Sequence, residues 1–217
     1  MKIIGLSGVA GCGKDTFFAI LQSKMECRRI SLADKLKQEV QEWCQTHYKI
    51  DPLNCTREEK EIIRPFLVFH ATRQRKSSEG RYWIDQLQSA FRIVSPFNQF
   101  PVLNEEGVIL RHDETVVITD IRYDDYDRDE VFWLKNELDG ILVHVAQYEE
   151  KIDPNTGWQE GIYKAAANEE EARNDPKIKE KADYSVEWPK ISCASDEELY
   201  NSLSLYVEDF IEWMKNQ

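Results

Sequence analysis

The chain has 217 residues, of which 28 are Lys or Arg and 40 are Asp or Glu, for a net charge of -12. That excess of acid argues against duplex nucleic acid as a partner, since neutralising its phosphates takes a basic face. The length suits one α/β domain, no apolar run is long enough to span a membrane, and Cys12, Cys27, Cys44, Cys55 and Cys193 are scattered without metal-like spacing, as in reduced cytosolic proteins.

Lys2 to Ser7 reads as a buried strand with no signal peptide ahead of it, and Lys14 to about Lys24 as a helix. Between them lies Gly8-Val9-Ala10-Gly11-Cys12-Gly13-Lys14-Asp15-Thr16. Strand, glycine-rich turn, Lys and helix form the arrangement that binds nucleotide phosphates. Glycines let backbone N–H groups converge on an anion, the helix start adds attraction, and the Lys reaches the outer phosphates. The usual Ser or Thr after the Lys is replaced by Asp15, with Thr16 following; a carboxylate is also an oxygen donor for Mg²⁺.

A second strand spans Arg28 to Leu32, and a helix follows with Leu36, Val40, Trp43 and His47 at helical spacing and Ser31 as its cap. Asp51-Pro52-Leu53-Asn54 breaks it. Thr56 with Glu59 caps the next helix, whose face is Ile62, Ile63, Phe66, Leu67 and His70; another runs from Arg81 to Ile93. Arg57, Arg64, Arg73, Arg75, Lys76 and Arg81 make this stretch a local basic pocket on an acidic chain, with Phe66, Phe69, Tyr82 and Trp83 as rings that either fill core or stack on a base.

Val102-Leu103 and Val108-Ile109-Leu110 flank a turn and predict a hairpin. Thr115 to Thr119 is a central parallel strand ending at Asp120, with Arg122 two residues on. The carboxylate can hold Mg²⁺ waters and the guanidinium can clamp a phosphate. A helix near Glu130 to Glu137 leads to a strand at Ile141 to Val145. Gln147 to Lys181 reads as a mobile polar excursion carrying short helices, Tyr184 to Trp188 as the last strand, and Ser195 to Glu198 as the capped start of the final helix. Alternating strands and helices imply a parallel sheet with helices on both faces. Ligands then bind beyond the strand carboxyl ends, where the glycine loop, Asp120 and Gln147 onward are expected to lie.

These landmarks, in order, resemble the viral-type deoxynucleoside monophosphate kinases within the P-loop nucleoside monophosphate kinases. The resemblance rests on Gly13-Lys14-Asp15-Thr16, Leu32-Ala33 with Leu36-Lys37, Arg64 with Phe66-Leu67, Arg81-Tyr82-Trp83-Ile84, Thr119-Asp120-Ile121-Arg122, Val143-His144-Val145, and Asn174-Asp175-Pro176 with Ala182-Asp183-Tyr184. It implies a P-loop kinase fold over 1–217, with about five parallel strands, a substrate-side helical insertion near 50–112 and a lid near 147–181. It implies transfer of the ATP γ-phosphate to a deoxynucleoside 5′-monophosphate. Gly8 to Thr16 would bind ATP, Asp15 and Asp120 would serve Mg²⁺, and Lys37, Arg64, Phe69, Arg73, Arg81, Tyr82, Trp83 and Arg122 would bind the acceptor. Lys14, Asp120, Arg122 and Arg173 would be catalytic. The family often carries Arg soon after the fourth strand, where this chain has Gln147, and Arg173 is the substitute. The resemblance implies cytoplasmic residence, in the host if the protein is viral, and leaves a homodimer open. A kinase of the dephospho-coenzyme A or phosphomevalonate type, or a non-catalytic nucleotide-dependent interaction module, remains an alternative reading of the same residues.

Overall fold

In a computed structural model, described over residues 2–93, 108–110, 114–152, 159–192 and 195–217, the sheet has the order β2-β5-β1-β6, with β7 and β8 both on β6. The elements are β1 (Lys2–Ser7), α1 (Lys14–Lys24), β2 (Cys27–Ile30), α2 (Leu32–Tyr48), α3 (Arg57–Ser77), α4 (Arg81–Ala90), β3 (Phe91–Ile93), β4 (Val108–Leu110) and β5 (Thr115–Ile118). There follow α5 (Glu130–Phe132), continued by a π-helical turn (Trp133–Glu137), then β6 (Ile141–Ile152), β7 (Gln159–Tyr163), α6 (Glu169–Lys181), β8 (Tyr184–Pro189) and α7 (Asp196–Lys215). Strands β2, β5, β1, β6 and β8 are parallel and β7 is antiparallel. The expectation of an α/β fold around about five parallel strands holds.

The sheet's two faces carry separate cores. On one, Ile4, Leu6, Val143 and Val145 pack with Phe17, Ile20 and Leu21 of α1 and with Leu203, Val207, Phe210 and Met214 of α7. On the other, Ile3, Ile118 and Leu142 meet Trp83, Ile84 and Leu87 of α4, Leu134 and Ile178. The period-two alternation of β1 supplies both faces because parallel strands are buried on both sides. A third cluster ties α2 to α3 through Val40, Cys44, Ile63 and Leu67.

Several expectations change in detail. The buried face of α2 is Val40 and Cys44, while Trp43 is 41% exposed and stacks on Phe66 at 4.2 Å between ring centroids. Ser31 begins α2, but its hydroxyl donates to Asp120 instead of capping the helix itself. The helix from Arg81 stops at Ala90, and β3 pairs in parallel with β4. The expected antiparallel partner of β4, Val102-Leu103, lies outside the described residues. Among its described residues, the excursion from Gln147 forms the second half of β6, β7 and the 13-residue α6. Gln147 is therefore mid-strand, its carbonyl accepting from Lys164 N at 2.8 Å, and is not at a strand end. Both capping expectations further on hold: Thr56 and Glu59 form a reciprocal box, and Ser195 Oγ accepts from Glu198 N at 3.2 Å.

Candidate active site

The glycine-rich loop crosses from β1 to α1 with Gly8, Gly11 and Gly13 at φ 124°, 74° and 100°. This left-handed backbone is cheap only without a Cβ. At Gly13 the need is also steric, because a Cβ there would come within 2.6 Å of the Trp188 ring. Trp188, from β8, is fully buried and donates its indole N–H to Cys12 O at 2.9 Å. The loop is thus braced from below by a residue far along the chain that sequence reading did not single out.

Lys14 folds back on the loop: its Nζ donates to Gly8 O at 2.6 Å and Val9 O at 2.9 Å and lies 3.7 Å from Cys12 Sγ. Cys12 is wholly buried, and burial pushes its thiol up despite the nearby Lys14 charge. Asp15 is exposed in the first turn of α1, with Thr16 half-buried beside it.

Asp120 sits beyond the end of β5 and is 7% exposed. Its Oδ1 accepts from Leu32 N at 3.0 Å, and its Oδ2 accepts from Ala33 N at 2.7 Å and Ser31 Oγ at 2.8 Å. It is therefore the working cap of α2. A carboxylate offers about four acceptor sites, so three donors leave Oδ1 one further site. Among the described residues no group of three His, Cys, Asp or Glu forms a metal cage. One exposed and one partly engaged carboxylate is nonetheless a donor set that fits Mg²⁺, which takes one or two carboxylates and completes its shell with waters and substrate phosphates.

Lys60 of α3 has other cations near it. The Lys60 pKa is lowered first by burial and then by the charges of Lys37 of α2, Arg64 of α3 and Arg122 after β5. Lys60 and Arg64 are one turn apart on one helical face. Lys60 was not marked by sequence, because nothing local distinguishes it from other helix lysines. Phe69 is 64% exposed, and Arg73 is exposed on the same helix.

Other expected acceptor residues are used elsewhere. The Arg81 guanidinium bonds Glu137 at 3.0 and 3.2 Å, Asp85 at 3.1 Å and the Arg128 carbonyl at 3.3 Å, clamping α4 to the π-helical turn. Trp83 is core: it is buried, with Tyr82 and His70 rings against it, which corrects its assignment as a base platform. The Tyr82 hydroxyl donates to Glu39 at 2.8 Å, and His70 Nε2 meets the other oxygen of that carboxylate at 2.8 Å. Arg75 is buried on Asp129 at 2.8 and 2.9 Å, so the basic stretch is not one pocket but divides between core and surface. Its neighbour Glu130, pushed up to about 8 by burial against the pull of Arg75, accepts from Arg122 N at 2.6 Å and Tyr123 N at 3.1 Å. That carboxyl holds the backbone from which Arg122 projects.

The β6–β7 hairpin carries the chain over the loop. Lys164 follows it directly, and its stem lies against Gly11: a Cβ on Gly11 would meet Lys164 Cε at 2.9 Å and Nζ at 3.3 Å. Arg173 is instead paired with Asp125 at 2.8 Å on α6 and is 54% exposed. From sequence, Lys164 gave no signal, since hairpin register alone brings it to the loop.

No family model matches this chain, and no curated protein matches it. Among solved structures, the dephospho-CoA kinase from Campylobacter jejuni aligns with 99% of this chain and 98% of its own, at 15% identity and a TM-score of 0.44. This is a loose likeness of overall fold, at which neither substrate nor residue roles carry over.

Proposed function

We propose that the protein is an ATP-dependent phosphotransferase acting on a deoxynucleoside 5′-monophosphate to give the diphosphate, with 1–217 working as one unit, the α3–α4 region binding the acceptor and the 147–181 region serving as lid. What supports this reading is a glycine-rich loop between β1 and α1, with Asp120 beyond the end of the neighbouring β5, and a second set of cations, Lys37, Arg64 and Arg122, whose charges all act on Lys60. A donor and a phosphorylated acceptor each need such a seat, and a nucleotide switch needs only the first.

In this reading the loop N–H groups receive the ATP phosphates, and Lys14 exchanges the Gly8 and Val9 carbonyls for phosphate oxygens. Asp15, Thr16 and Asp120 would hold Mg²⁺ and its waters, and the ion would supply neutralisation of the phosphate charge. Arg122, with Lys37, Lys60 and Arg64, holds the acceptor phosphate in line with the donor. The attacking oxygen belongs to an already ionised phosphate, so positioning and electrostatics suffice and no strong base is needed. Lys164 supplies the lid cation over Gly11, the part the sequence alone gave to Arg173. Closing the hairpin excludes water and limits ATP hydrolysis.

The deciding experiment is a coupled ADP-release assay across the common ribo- and deoxyribonucleoside monophosphates, with dephospho-coenzyme A and phosphomevalonate as further acceptors. Stimulation by one or more deoxynucleoside monophosphates is expected. Stimulation by one of the other acceptors alone would replace the substrate, and ATP binding without any acceptor-stimulated turnover would favour the interaction module.

A further inference from the structure

An acidic side chain sits where the loop should receive an anion. Glu171, in the first turn of α6, places its Oε2 3.2 Å from Ala10 N, inside the glycine-rich loop, and 3.0 Å from Ala167 N. Its Oε1 lies 3.7 Å from Arg122 Nη1, and only 11% of the side chain is exposed. The bond to Ala167 is ordinary for a Glu three residues into a helix: Asn168 caps α6 by accepting from Glu171 N, and the Glu reaches back to a free N–H. The bond to Ala10, 161 residues earlier, is not part of any cap.

A carboxylate and a phosphate make the same demands: N–H donors and a guanidinium. One oxygen of Glu171 takes a loop N–H and the other faces the arginine that follows β5, so a single anion already bridges the two. We propose that Glu171 is a resident competitor for the phosphate seat of the loop and, with its other oxygen, holds Arg122 away from the acceptor. A di- or triphosphate must expel it, and its expulsion frees Arg122 and loosens the junction between α6 and the loop. The proposal deepens the kinase reading above and rests on it for the identity of the natural ligand. The competition itself concerns any polyphosphate anion.

The test uses the full chain with Glu171→Gln, which keeps the reach to Ala167 but removes the charge, and Glu171→Ala, which removes both. Calorimetry is run with Mg²⁺–ATP, with pyrophosphate and with adenosine. Both variants should bind ATP and pyrophosphate roughly tenfold more tightly than the unaltered chain, with adenosine unchanged. A purely structural Glu171 would instead give unchanged or weaker anion binding in the folded Gln variant, which overturns the proposal. Tighter pyrophosphate binding without ATP binding would sustain the competitor and remove the kinase reading. Binding of neither anion by any form overturns both.

Discussion

The Asp120 carboxylate caps a helix that begins 88 residues before it in the chain, accepting from Leu32 N at 3.0 Å and Ala33 N at 2.7 Å. One residue at a strand end thus fixes the start of α2, and through it Lys37, while keeping a lone pair for the metal of the proposed reaction. Asp120→Ala leaves two amide donors and the Ser31 hydroxyl unpaired, and is expected to cost about 2 kcal/mol of stability in urea unfolding. Loss of turnover with unchanged stability would mean that the cap is dispensable and the metal role dominates.

Lys14→Ala is expected to lower turnover at least ~100-fold, the effect of removing a preorganised charge worth about 3 kcal/mol. The fold should survive, because only the two bonds to Gly8 O and Val9 O are lost and the loop keeps its brace from the Trp188 indole to Cys12 O. Near-normal turnover in a folded Lys14→Ala protein would refute the donor site.

In the proposed kinase reading, Lys60 links acceptor binding to pH. Burial and the charges of Lys37, Arg64 and Arg122 lower its pKa, so its positive charge is lost at lower pH than that of a free lysine. Because the charged form would attract the acceptor phosphate, the acceptor KM should rise with pH below the range where an ordinary lysine loses its charge, while the ATP KM changes less. Lys60→Arg should flatten that rise. Parallel KM profiles for the lysine and arginine forms would place Lys60 outside the acceptor site.

Asp125 anchors α6. Burial acts to raise its carboxyl, but hydrogen bonds from Arg173, Asn174 and Lys177 overcome it and lower the pKa from 3.8 to about 2. The folded value lies below the unfolded one, so the stabilisation is complete above about pH 4 and is lost as pH falls through about 2. In Tm measurements from pH 5 to 2, Asp125→Ala should show a shallower acid decline than the unaltered chain. An identical slope would mean that the exposed Arg173 and Lys177 pairs contribute nothing.

Cys12 should resist bulky thiol reagents in the native protein, being wholly buried with a raised pKa. From sequence, a thiol in this loop is expected to be labelled and protected by ATP. Fast labelling of the folded protein would show that the loop opens readily in solution.

The sequence by itself determined the parts whose signals are local. A glycine pattern between an apolar strand and a helix specifies the loop, a β-branched run specifies β5, and paired Thr56 and Glu59 specify a helix start, because in each case the deciding contacts lie within a few residues. Tertiary structure alone decided which polar groups meet. Trp188 under Gly13, Glu171 against Ala10 and Lys164 over Gly11 are set by strand order and hairpin register, which bring together residues more than a hundred positions apart. The same long-range packing turned Arg75 and Trp83 inward: burial depends on which helix lies opposite, and a residue's neighbours in sequence carry no record of that.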